Sequence, residues 1–466
     1  MADNEFDGLD RLIEDSLDTL PPEDVAGRVS AGKSAFDLII AGLALSTITL
    51  NFLALNYILP MLGVVLLLLG TRHLRGENGW FTACFALSVL RCVLAAAQCL
   101  IAATVYNDAF TGSGAADIVA WVSTALVFAL IFCLRGGILK TQRSAGLEPH
   151  AGGAAALIVW YAAVDALALV HAEGFILGTG LIICFILILR SLARLANELV
   201  DASYAVTPSP VRVSDKALCI TIFALVIAGA ACGYIFFAKY PMQWQAEPEP
   251  QSSELRQALL DAGYPERALR DLSDEDLALC EGFTAVYTND GEQHDNGSGV
   301  ELMTVAVKLD EHGTRWRIFH HFEWIDAQPV GTELLRVIPA YADSLAWYPD
   351  GELTGRVLYG ADGETLSAPY YSLSGSGGSV STVFGMFEPL GILGSFSMPA
   401  DSERQRGYIS YGTGNSAAEP DGLYLSTAAD YVHQRSALQF PVRTAEGAAR
   451  SGAYGDCFAI VWDTFS

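Results

Sequence analysis

Leu218 to Ala238 reads LCITIFALVIAGAACGYIFFA, an apolar run without a charged residue. About 20 such residues carry an α-helix across a bilayer, so this stretch predicts a membrane span. It also divides the chain. Before it, apolar runs alternate with short polar loops. After it no run is long and apolar enough to span, and the composition is that of a water-exposed domain. The expected fold is an α-helical transmembrane bundle followed by a mainly-β extracytoplasmic domain, a β-sandwich with a short helical lead-in.

Charge separates the same two regions. Residues 240–466 carry 13 Lys/Arg and 33 Asp/Glu, a net of −20, whereas residues 1–239 carry 14 and 19. Phosphate neutralisation needs a basic face, so nucleic acid is excluded as a partner of the C-terminal region. Anionic lipid head groups would repel it as well.

Upstream of Leu218, apolar runs at about 36–54, 56–71, 80–104, 116–135, 154–171 and 174–190 predict six further spans, with the last at 217–238. Lys and Arg test the order. Arg72 and Arg75 follow the second run, Arg135, Lys140 and Arg143 the fourth, and Arg190, Arg194, Arg212 and Lys216 the sixth. The intervening loops hold neither residue. The positive-inside rule then places the N-terminus in the cytoplasm and residues 240–466 outside. Lys239, at the outer end of the last span, is the one dissenting charge.

Residues 1–35 form the expected acidic cytoplasmic tail. Leu9, Leu12, Ile13, Leu17 and Leu20 fall at helical spacing and suit a cytosolic protein partner, although a solvated tail fits the charge better. Gly27-Arg28-Val29-Ser30-Ala31-Gly32-Lys33-Ser34 matches the phosphate-loop pattern. That chemistry needs a buried strand before the loop and a free helix N-terminus in a parallel sheet after it, whereas Pro21-Pro22-Glu23-Asp24 precede it here and the predicted helix that follows enters the membrane.

Two ionisable residues fall inside spans. Arg91 and Asp165 each lie about 11 residues from the inner edge, roughly 17 Å at 1.5 Å per residue. Equal depth predicts an ion pair in the bundle interior, which is how membranes tolerate such groups. Cys84, Ser88, Arg91, Ala95 and Gln98 share one face of the third span. Arg91, Asp165, Gln98 and Ser88 are therefore the candidate intramembrane site, either structural or on a transport path. Gly229 and Gly233 at four-residue spacing permit close helix packing.

Leu55-Asn56-Tyr57-Ile58-Leu59-Pro60, Leu69 to Asn78, Trp80-Phe81 and Leu87 to Arg91, together with Leu272 to Leu277 and Phe322-Glu323-Trp324, resemble a group of uncharacterised multi-pass membrane proteins from Gram-positive anaerobes. The resemblance covers short pieces of both regions. It implies a bacterial plasma-membrane setting and no activity.

Beyond the Pro/Glu/Gln-rich linker at 239–252, Ser253 predicts a cap for a helix over 254–262 ended by Gly263, and Ser273 with Asp276 a capping box before 274–280. Strands are predicted at 301–309, 315–325, 355–359 and 365–372 around turns at 310–314 and 360–364, with others near 380–386, 406–411, 422–426, 436–442 and 457–463. Ser374 to Ser379 reads as a flexible loop. Along 315–325, Trp316, Ile318, His320, Phe322 and Trp324 share one face. Arg317, Phe319, His321 and Glu323 share the other, which is expected to be polar and outward. His321 and Glu323 are possible metal ligands without an evident third, so no metal is assigned. Trp347, Tyr348, Tyr370, Tyr371, Tyr408 and Tyr411 either line a groove or fill the core. Cys280 and Cys457 are the two cysteines outside the spans. They form a disulfide or two buried thiols.

No G-x-S-x-G, H-E-x-x-H or C-x-x-C is found, so neither catalysis nor a cofactor is expected. The best reading is a multi-pass plasma-membrane protein that binds or senses an extracellular ligand or envelope partner through its outer domain. The alternative is a transporter using Arg91 and Asp165.

Overall fold

The computed structural model describes residues 23–48, 54–172, 174–202, 209–248, 252–289, 299–325, 331–342, 346–381, 387–400, 402–416, 424–434, 439–451 and 457–465. The helical spacing at residues 9–20 lies outside them. The chain divides into two compact units, one of Met1–Ile101 with Phe110–Ala230, the other of Ala102–Ala109 with Ala231–Ser466.

The first unit is helical: α1 (Glu23–Thr47), α2 (Leu55–Leu74) and α3 (Gly79–Ala102), then α5 (Gly114–Ser144) after the short α4 (Tyr106–Thr111), then α6 (Gly152–Leu169), α7 (Phe175–Asp201) and α8 (Asp215–Phe237). Among the described residues, six helices are long and apolar enough to cross a membrane: α2, α3, α5, α6, α7 and α8. Large apolar side chains point outward, with Val159 69%, Ile176 86% and Phe236 73% exposed. Such faces belong in hydrocarbon, and the chain is a multi-pass membrane protein.

The run at 36–54 is not among the six. It maps onto the second half of α1, which carries Lys33 and Asp37, while residues 49–53 lie outside the described residues. α1 nevertheless packs antiparallel along α2. A Cβ on Gly70 would meet Ala35 O at 2.6 Å, and one on Gly42 would meet Gly63 O at 2.7 Å. Glycine lets the two backbones approach this closely. Gly27–Ser34 is continuous helix within α1, so its N–H groups face the helix ladder and make no phosphate cradle.

The basic stretches converge at one end of this unit. Arg72 Nη1 and His73 Nε2 reach Asp215 at 3.2 and 2.6 Å, and Arg75 Nη2 donates to Pro210 O at 3.0 Å. Asn78 Nδ2 donates to Gly137 O and Thr141 Oγ1, and His150 lies 3.1 Å from Glu198.

The second unit is β-rich. One antiparallel sheet runs β1 (Gln245–Ala246), β8 (Glu364–Pro369), β7 (Thr354–Ala361), β11 (Glu403–Asn415), β4 (Arg315–Trp324), β3 (Val300–Lys308), β2 (Ala285–Asn289), with β6 (Trp347–Pro349) also on β11. The other runs β13 (Cys457–Phe465), β12 (Leu425–His433), β5 (Glu333–Ile338), β10 (Phe387–Phe396), β9 (Ser372–Ser381). Neither sheet closes into a barrel. They share one core, in which Ile318 and Phe322 meet Val337, Phe396 and Tyr431.

Several expectations change here. The outer face of β4 is buried, because α9 (Glu254–Asp261), α10 (Glu266–Arg270) and α11 (Asp274–Ala278) cover it with Leu259, Tyr264, Leu269 and Leu277 against Val305, Phe319 and Tyr408. The helical lead-in is thus a third layer. The linker is built into the unit, with Tyr240 stacked on Tyr371 at 4.4 Å and Trp244 edge-on to Tyr359 at 4.6 Å. Ser374–Ser379 is part of β9, paired to β10. No strand occupies 439–442, where the Phe440–Pro441 bond is cis, and 435–438 lie outside the described residues. Likewise 382–386 of the expected strand at 380–386 and 422–423 of that at 422–426 are outside them. Both predicted N-caps are present, with Ser253 Oγ accepting from Arg256 N and Ser273 Oγ from Asp276 N, both at 3.1 Å, but the box at Ser273 is not reciprocal, because Ser273 N donates to Tyr408 Oη.

Candidate ligand cleft

The ends of β7, β8 and β11 and the helices above them enclose a cleft of about 910 Å³. Small-molecule sites usually fall between about 300 and 1,000 Å³. The floor comes from the β7–β8 hairpin, whose tight turn uses Asp362 and Gly363 at φ 52° and 83°, the left-handed pair favoured by two-residue hairpins. β1 adds to the β8 edge, and Glu247 N donates to Thr365 O at 2.8 Å. The opposite wall is α9 and α10.

Three arginines hold the walls together. Arg356 donates through Nη1 to Glu247 Oε1 at 2.7 Å and through Nε and Nη2 to Asp271 O. Arg406 Nε bonds Asp271 Oδ2 at 2.8 Å. Arg256 Nη1 and Nη2 donate to Leu269 O and Leu272 O, satisfying carbonyls at the α10 C-terminus that lack helical partners. Each links a helix to a neighbouring element, so they build the cleft without being available to a ligand.

Arg404 is different. It lies in a β-bulge, where the pairing of β11 with β7 shifts register between Glu403 and Arg406. Its backbone is left-handed at φ 48°, a conformation that costs a non-glycine residue of order 1–3 kcal/mol. Its carbonyl is held by Arg406 Nη1 at 2.9 Å. Its side chain lines the cleft, exposed and without a hydrogen-bond or ion-pair partner. Bulges re-aim side chains at functional sites. Arg270 lies on the same cleft, exposed, with Asp271 only at the 4.0 Å limit. Glu266, Glu364 and Glu403 are also exposed lining residues.

The residues singled out in the sequence lie elsewhere. Arg91 and Asp165 form no ion pair. Both are half-buried, and each lies in electrostatic range of Tyr161, whose hydroxyl hydrogen-bonds Thr47 Oγ1 at 2.5 Å. Arg91 Nη1 and Ser88 Oγ are buried without hydrogen-bond partners. Gln98 is exposed, and Cys92 and Cys99 take the inward face at that level, so the polar stripe does not continue down α3.

His321 is buried with Nε2 3.1 Å from Tyr264 Oη. Glu323 lies 3.6 Å from Arg267. Among the described residues no group of His, Cys, Asp and Glu is placed to hold a metal ion. Burial pushes both His320 and His321 down to about 3, keeping them neutral. Cys280 is a free thiol packed under α9 to α11, pushed up to about 12 by burial. Cys457 has its backbone in β13, paired with Val432, and its side chain lies outside the described residues. Trp347, Tyr370, Tyr408 and Tyr411 are buried core, while Tyr348 and Tyr371 are 45% and 44% exposed.

Nothing in the sequence marks Arg404, since bulges and backbone strain leave no motif. Comparison with protein-family models, with curated proteins and with solved structures finds no match.

Proposed function

We propose that this protein is a membrane-anchored binding and signalling module. Its β-unit receives an external ligand, and the basic end of its helices faces the cytoplasm. The cleft with Arg404 carries the reading, because a non-glycine backbone held left-handed in a β-bulge is costly to keep for structure alone and it delivers an unpartnered guanidinium to the cleft. The orientation rests on the positive-inside rule, supported by the convergence of the Arg72, Lys140 and Arg194 stretches at one end of the bundle. In a bacterial cell the membrane would be the plasma membrane. A signalling role is supported by connectivity. The chain passes between the units at 101/102, 109/110 and 230/231, so displacement of the β-unit pulls on α3, α5 and α8 together.

The test is thermal unfolding of the full chain in lipid nanodiscs with pooled envelope fragments and external solutes. A rise in unfolding temperature is expected, since a ligand that binds the native state stabilises it. Thr365→Trp, which sets a bulky side chain on the cleft floor, should abolish it. A shift that survives Thr365→Trp would place binding elsewhere.

The second reading, a transporter, draws on Arg91, whose Nη1 is a buried donor without a partner. It predicts anion flux in vesicles that is lost in Arg91→Gln. Vesicles with no flux would eliminate it.

A further inference from the structure

We infer that the cleft takes a short, extended peptide carrying charges of both signs, an inference that rests on the binding reading above. Its first support is the charge of the lining. Arg256, Arg356 and Arg406 are committed to the walls, and Glu247 and Asp271 are committed to them in turn. What remains for a ligand is Arg404 and Arg270 against Glu266, Glu364 and Glu403, all exposed on one cleft. A purely anionic ligand meets the three carboxylates. A purely cationic one meets Arg404 and Arg270 and leaves them unmatched. A ligand with both signs satisfies the set. The surrounding field makes the same choice, because residues 240–466 sum to −20 and repel polyanions at a distance.

The second support is main-chain geometry. β1 is the terminal strand of its sheet among the described residues, paired to β8 on one side. Ala246 and Glu247 line the cleft, which puts this terminal strand at its rim. A sheet edge offers unpaired N–H and C=O groups, and an extended peptide satisfies them by strand addition. Main-chain bonds to β1 supply affinity, and the flanking charges select the sequence. The carboxylate of the peptide sits on Arg404, whose planar fork suits bidentate contact.

The experiment uses the full chain in nanodiscs and fluorescence polarisation of labelled pentapeptides: Lys-Ala-Ala-Ala-Glu, an all-acidic Glu/Ala peptide, an all-basic Lys/Ala peptide and an uncharged one. Inorganic phosphate serves as competitor. The mixed-charge peptide is expected to bind best. Arg404→Gly should weaken it about tenfold or more, the order lost with one charge-assisted contact. Glycine tolerates φ 48° without strain, so Arg404→Gly should unfold no earlier than the parent, which separates lost contact from lost fold. Equal binding to parent and Arg404→Gly overturns the inference. Preference for the acidic peptide, with competition by phosphate, overturns it too but leaves a ligand cleft in place. If no peptide binds while the pooled fragments still give a shift that Thr365→Trp removes, the peptide class falls and the binding reading stands. If neither binds, both fall.

Discussion

Acidification should weaken the β-unit through two adjacent histidines. His320 faces the inter-sheet core, with Nδ1 3.0 Å from Thr304 Oγ1 and Nε2 3.0 Å from Thr427 Oγ1. His321 faces the helical layer and meets Tyr264. Burial lowers both to about 3, against about 6.5 in an unfolded chain. The sign follows from proton counting. Between pH 6.5 and 3 the unfolded state binds two protons that the folded state refuses, so stability falls as pH falls through that window. At pH 5 each histidine contributes a loss of about 2 kcal/mol relative to pH 7, or about 4 kcal/mol together. Glu333 acts in the opposite sense. Burial raises it above the usual carboxylate range, so its contribution grows on acidification. Denaturant unfolding of the full chain in nanodiscs, followed by the fluorescence of buried Trp316, Trp324 and Trp347, reads the difference. The parent should lose stability from pH 7 to pH 5, and the double variant His320→Asn/His321→Gln should lose little. Equal pH slopes in the two proteins would refute the assignment of the loss to this pair.

Three other outcomes follow from the packing and the topology. Gly63→Leu would drive a side chain into the α1 backbone at Leu45 and Ser46, and should cost more than about 2 kcal/mol in thermal unfolding of the bundle. Asp108→Ala removes the acceptor of both Thr444 N and Thr444 Oγ1, at 2.8 and 2.5 Å; hydrogen exchange over α12 (Ala445–Arg450) should rise by the equivalent of about 1–3 kcal/mol. Protease treatment of intact cells should remove a tag placed after Ser466, whereas protection until lysis would reverse the orientation.

Much of this architecture was legible because it rests on local signals. Long apolar runs mark α3, α5, α6, α7 and α8, even with Arg91 inside α3 and Asp165 inside α6, and turn residues mark the hairpins at Asp310–Thr314 and Gly360–Glu364. Ser253 and Ser273 announce their helices by capping chemistry alone. The failures share a cause in tertiary contact. Alternation along β4 suggested one wet face, but α9 to α11 cover it, and a strand buried on both sides loses its polar signature. β5 escaped notice for the same reason, with all six residues from Glu333 to Ile338 buried. Ser374–Ser379 has a linker composition and still pairs with β10, because β-propensity yields to sheet context. Equal depth in two spans did not bring Arg91 to Asp165, since depth fixes height along a helix and not rotation about it.

The segment Ala102–Ala109 carries a consequence for the protein's modularity. It lies between α3 and α5 in sequence yet belongs to the β-unit, where Val442 N donates to Ala102 O at 2.7 Å and Asp108 Oδ2 accepts from Thr444, the N-cap of α12. The β-unit is therefore not a cassette. A fragment cut at Ala231 leaves behind the carboxylate that holds the N-cap of its last helix, and a graft of that fragment onto another anchor would arrive with Thr444 N and Oγ1 deprived of Asp108. Gene fusion and domain shuffling, which trade in contiguous segments, cannot move this unit intact without carrying the α3–α5 turn as well.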